Sequence, residues 1–218
     1  MLSSTLVAGD CPSPIGEEAL RPREFDHDEV LRIAFDQFWR KGVRGTSLAD
    51  IARDAGVQRG SLYNAYGSKE ALFLVAYERY ANKYLDTLRN VLSTGTLRER
   101  LVAFFDATIK NFRSGSPPRG CPTTRGLMEL APGEGEGLGE DARRAFADLI
   151  SRITALVEEA FVEGQRLGEF DGTPGTAALH IVTVTRGSAV LERAFGDEPE
   201  LRRIAAYTID LVLGEQGR

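Results

Sequence analysis

Apolar positions recur at three- and four-residue steps along most of the chain, a pattern that predicts about nine helices and an all-α fold. The first, Asp26–Lys41, puts Val30, Ile33, Ala34, Phe35 and Phe38 on one face, with Trp39 as a packing residue. Asp26 or Asp28 caps it, and Gly42 ends it. A long helix over Ser68–Leu92 carries Leu72, Phe73, Val75, Ala76, Tyr80, Tyr84, Leu85 and Leu88, and its length makes a rigid lever. Gly95 breaks the chain before a helix over Thr96–Arg113. Pro117 and Pro118 interrupt it again, and Cys121-Pro122 opens a short helical segment to Leu130. Gly133–Gly139 reads as a flexible acidic connection, followed by the best amphipathic helix, Glu140–Gly168. The last two helices, Thr176–Phe195 and Pro199–Leu213, are too apolar for a free surface and predict a homodimer interface.

Between the first and the long helix lies Thr46–Lys69, TSLADIARDAGVQRGSLYNAYGSK, which reads as two short helices crossing over a tight turn. Ala52 permits the close approach and Gly56 the left-handed turn. Val57, Leu62 and Ala65 face back onto Leu48, Ile51 and Ala55. The opposite face presents Gln58, Arg59, Gly60, Ser61, Tyr63 and Asn64, groups suited to base edges and phosphates. Thr46 or Ser47 caps the first of the pair where a phosphate would pass, and Ser68 with Lys69 forms an anion site at the next helix start. Charge adds to the picture. Arg40–Lys69 holds six cations against two acids, net +4, in a chain of net −5, so the remainder carries −9. A cationic segment on an acidic protein is the electrostatic footprint of a nucleic-acid binder.

The stretch Phe35–Tyr80 resembles the N-terminal domain of the TetR family of bacterial transcriptional regulators. The resemblance rests on the aromatic first helix, G-V-R-G-T-S-L, I-A-R-D-A-G-V, S-L-Y-N-A-Y and G-S-K-E-A-L-F. It implies an all-helical homodimer, with a helix-turn-helix domain over residues 25–80 and a ligand-binding and dimerisation domain over 81–218; residues 1–24, rich in Ser, Gly and Pro and without periodicity, read as a mobile tail. It implies a regulator, most often a repressor, that leaves a palindromic operator when a small molecule binds or a cysteine is modified. In this role Gln58, Arg59, Tyr63 and Asn64 read or brace the operator, and Thr46, Ser47, Tyr66 and Lys69 hold phosphates; Tyr66 is alternatively core. Arg21 and Arg23 are candidate arms toward phosphates or the minor groove.

The effector region carries no ligand motif. Phe104, Phe105, Thr108, Phe112, Met128, Phe146 and Ile150 are candidates to line an apolar cavity among the fifth to eighth helices, with Arg125 facing an anionic effector. Cys121 falls at a helix N-terminus, where thiols tend to be reactive. Many TetR relatives carry a similar G-C dipeptide there, but Thr123, Thr124 and Arg125 depart from their usual apolar run. No metal or cofactor is expected, because His27 and His180 are isolated and no metal-ligand spacing, nucleophile elbow or P-loop occurs. An enzyme is therefore not expected. Two cysteines in unlike settings, no apolar run near the roughly 20 residues of a membrane helix and no secretory signal point to a cytoplasmic protein.

Overall fold

The computed structural model describes residues 25–115, 118–130 and 139–214. Arg21, Arg23, Cys11, the expected tail and most of the Gly133–Gly139 connection lie outside them.

Helices α1 (His27–Lys41), α2 (Leu48–Asp54), α3 (Arg59–Tyr66) and α4 (Lys69–Leu92) come first in the chain. Asp26 caps α1 by accepting from the N–H groups of Asp28 and Glu29, and Ser47 and Ser68 do the same for α2 and α4. Gly56, at φ 65°, makes the left-handed turn between α2 and α3. Val30, Ala34, Phe38, Ile51, Leu62, Leu72 and Phe73 close over one another as a small core. Ala65 is exposed rather than facing α2, because Leu62 and Val57 already cover that side of α3. Val75 is also exposed: it falls off the α4 stripe that Leu72, Phe73 and Ala76 define.

The remaining described helices are α5 (Leu97–Phe112), α6 (Pro122–Glu129), α7 (Gly139–Arg166), α8 (Pro174–Phe195) and α9 (Glu198–Leu213). Their core is continuous with the first through α4. Tyr84, Leu85 and Leu88 pack with Leu101, Phe104, Leu149, Ile153, Val157 and Phe161, and Ile181 and Ile209 close the far side. Each fully buried Leu or Phe contributes about 1.5–3 kcal/mol. A capping box of Thr96 and Glu99 starts α5, and Glu169 Oε2 accepts from the Leu97 N–H at 2.7 Å, tying the end of α7 to that start. Asp197 caps α9, which has Pro199 in its first turn.

Both α8 and α9 bury one face and expose apolar groups on the other. Leu179, Val190, Leu191 and Phe195 on α8 and Tyr207 and Leu211 on α9 stay open to solvent, Phe195 at 77% and Tyr207 at 63%. Among the described residues, no helix is long and apolar enough to cross a membrane.

Candidate nucleic-acid interface

α3 is held from behind and open in front. Leu62 is fully buried against the small core, which fixes the rotation of the helix about its axis. Gln58, Arg59, Gly60, Tyr63 and Asn64 are exposed, Tyr63 at 62%, and Ser61 is half-buried. Gln58 occupies the N-cap position without a side-chain capping bond, so its amide is left for a partner. An added Cβ at Gly60 would meet nothing within 4 Å; the glycine answers no packing need and leaves the helix start bare.

α2 braces this helix, and α1 braces α2. Gln37, buried on α1, donates from Nε2 to Asp54 Oδ2 at 2.7 Å. Ser47 Oγ donates to Asp50 at 2.7 Å while accepting from that residue's N–H. The hydroxyl of Ser47 and then the Arg53 guanidinium hold the Asp50 carboxyl below the usual carboxylate range. Arg53 bridges Asp50 and Asp54, so that cation serves α2 itself. Arg59 and Lys69 have no ion pair among the described residues, and both stand at helix starts.

The expected phosphate contacts divide. Ser47 is exposed at the α2 N-cap, and Lys69 opens α4 beside the Ser68 cap. Thr46 is a correction: it is 3% exposed, and its hydroxyl donates to the Gly42 carbonyl at 2.8 Å, so it fastens the α1–α2 turn from inside. Tyr66 is half-buried in an aromatic group with Phe25 and His27, and its Oη is 2.9 Å from His27 Nδ1. Burial, and then the Asp28 charge, raise the Tyr66 phenol. Sequence reasoning set His27 aside as isolated. Its only signal was a histidine at a helix start, and the 39-residue separation from Tyr66 hides the pairing.

The expected effector residues are not brought together at the clefts described. Phe104, Phe105 and Phe112 are packed core, and Thr108 accepts from Tyr84 Oη while donating to the Phe104 carbonyl. Met128 points outward at 78% exposure, because α6 is too short to bury both sides. Neither Ile150 nor these residues line the three clefts described. Phe146 and Arg125 instead border a cleft of about 450 Å³ between α1, α4, α6 and α7. Gly126 allows that approach, since a Cβ there would fall 2.3 Å from the Phe146 ring.

The segment around Cys121 grips α1. Trp39 Nε1 donates to the Gly120 carbonyl at 3.1 Å, and Arg119 pairs with Asp36 and lies over the Trp39 ring. Arg125 Nη1 donates to the Trp39 and Arg40 carbonyls at 2.9 and 3.1 Å, so it binds the C-terminal end of α1 rather than solvent. Cys121 is buried at the α6 N-cap. Its Sγ lies 3.5 Å from the Thr124 N–H and 3.4 Å from Arg186 Nη1.

A helix-turn-helix braced from behind, joined by one long helix to an all-helical remainder, is the build of a DNA-binding transcription regulator. The family model described as bacterial regulatory proteins, tetR family, matches residues 30–76. The chain is 29% identical over 211 residues to the HTH-type transcriptional repressor ComR of Escherichia coli (strain K12), covering 94% of this chain and 97% of that protein. It is 28% identical over 145 residues to the HTH-type transcriptional repressor NemR of the same strain, over 65% of this chain and 70% of that one. Its fold matches the TetR family transcriptional regulator CifR, solved as a cysteine mutant complexed with 26bp double-strand operator DNA. The TM-score is 0.74 and the identity 30%, over 87% of this chain and 98% of CifR. The chain belongs to the TetR family of bacterial transcriptional regulators, and like its relatives it is a regulator, not an enzyme.

Proposed function

We propose that this regulator represses transcription in the cytoplasm as a two-fold dimer on a palindromic operator, and that an effector releases it. The observation that carries the reading is the outward face of α3, where Gln58, Arg59, Tyr63 and Asn64 stand clear of the core. These four read or brace base edges; Ser47, Ser61, Tyr66 and Lys69 hold the backbone, and the bare Gly60 lets a phosphate come close. Residues 25–80 form the DNA-binding unit, with the boundary inside α4. Pairing through α8 and α9 sets the two α3 helices about 34–36 Å apart, one turn of duplex.

Release needs a ligand or modification that favours a different α3 spacing. Cys121 is one trigger that the geometry favours. A group added to its buried Sγ has no room, and the segment it would displace is the one that holds Trp39 and the end of α1.

The test is anisotropy titration against an operator selected from a random duplex pool. Arg59→Ala should lose about 1–3 kcal/mol, a drop of roughly five- to over a hundredfold. Lys69→Ala should weaken all duplexes alike and flatten the salt dependence by about one phosphate contact. Parent-like binding by both variants would overturn the interface.

A further inference from the structure

A second cleft, of about 720 Å³, runs between α1, α4 and α5, with Arg119 at its edge. Its wall is a run of rings. Phe35 stacks on Tyr80 with centroids 4.5 Å apart and planes 15° from parallel, and Tyr80 lies parallel to Tyr84 at 6.0 Å and 9°. Trp39 closes one end, 5.6 Å from Tyr80.

The rim is cationic. Arg32, Arg79, Lys83, Lys110 and Arg119 line the cleft against a single carboxylate, Asp36, which already pairs with Arg40 and Arg119. Arg32 pairs with Glu29 and Arg79 with Asp28. Lys83 on α4 and Lys110 on α5 are exposed and have no ion pair among the described residues. Tyr80 Oη accepts from Asn111 Nδ2 at 2.8 Å, which leaves its own proton to give. Burial raises that phenol well above its ordinary value, so it stays a donor at neutral pH.

We propose that this cleft binds an organic anion: an acidic head, carboxylate, sulfonate or phosphate, on a flat apolar body. The stacked rings take the body, and Lys83, Lys110 and Tyr80 Oη take the head. The cationic rim argues against a neutral apolar occupant, for which two unpaired ammonium groups offer nothing. Calling the occupant an effector rests on the regulator reading above. Under that reading the cleft is well placed, because α1 belongs to the DNA-binding unit and α5 does not.

Trp39 is the only tryptophan in the chain, so its emission reports from the cleft wall. The experiment titrates the full-length protein with 8-anilinonaphthalene-1-sulfonate, reading probe emission sensitised by Trp39. N-phenyl-1-naphthylamine, the same rings without the sulfonate, is the neutral comparison. The sulfonate should bind saturably and at least about tenfold more tightly than the neutral probe, and Lys83→Glu/Lys110→Glu should remove that difference. Lys83→Gln/Lys110→Gln, which keeps the stems, should lose part of it. Trp39 also borders the cleft that Phe146 lines, where Lys41 lies and Lys83 and Lys110 do not. Lys41→Glu should therefore leave sulfonate binding unchanged. Equal affinity for the two probes, parent-like binding by the lysine variants, or loss with Lys41→Glu would each overturn the proposal. Duplex binding at low salt is measured separately. Its failure would sink the regulator reading and leave the anion site standing.

Discussion

Single residues in the α1–α2 turn do more than their types suggest. Gly45 has no positive φ, yet an added Cβ would sit 2.5 Å from the Lys41 carbonyl oxygen, a backbone atom that cannot swing aside. Gly45→Ala should destabilise the protein by about 1–3 kcal/mol, read by urea denaturation, although the position is exposed. The same turn shows where sequence reading stops. Thr46 and Ser47 are adjacent hydroxyls, equally able to cap α2 on paper. Only the turn geometry decides that Thr46 points inward to the Gly42 carbonyl and Ser47 outward to Asp50. Arg125 is a similar case. Its local sequence offers a surface cation, and its role depends on carbonyls 85 and 86 residues earlier in the chain.

At the scale of elements, helices and caps were legible because periodicity and capping are local. The Ser68 cap and the Gly56 turn follow from neighbours within a few positions, and at α1 the structure chooses Asp26 over Asp28. The cavity was not legible, because aromatic stripes look alike whether they face a ligand or one another; in Phe104 and Phe112 they face core. The start of α5 allows a pH test. The Thr96 backbone N–H, and then its hydroxyl, hold the Glu99 carboxyl below its ordinary value. A lowered folded-state pKa stabilises above the ordinary glutamate range, about 4.3, and that contribution fades as pH falls through the lowered value. Glu99→Gln should thus be less stable than the parent at pH 7, and the gap should close as pH falls below the lowered value, by urea midpoints along an acid series. Thr96→Ala should cost about 1 kcal/mol at neutral pH.

At the scale of the whole molecule, the proposed function ties the exposed faces of α8 and α9 to the open face of α3, since two half-sites would need two copies held at a fixed distance. Leu179 is 58% exposed and lies outside the core, so Leu179→Arg together with Tyr207→Arg should leave the fold intact. The pair should turn a dimer into a monomer in sedimentation experiments and weaken binding to a selected palindrome by at least about a hundredfold, while a half-site is bound as before.

The grip of Arg125 on the last carbonyls of α1 has a consequence for anyone who would recombine such proteins. The DNA-reading portion does not finish its own first helix: Trp39 and Arg40 rely on a guanidinium contributed from beyond residue 118. Excised at α4, that portion would fray where Gly42 begins, and transplanted onto a foreign sensor it would need a matching arginine waiting there. A transplant of this portion should therefore carry the α1 contacts of Arg119, Gly120 and Arg125 with it, and a calorimeter should see the intact chain melt in a single step.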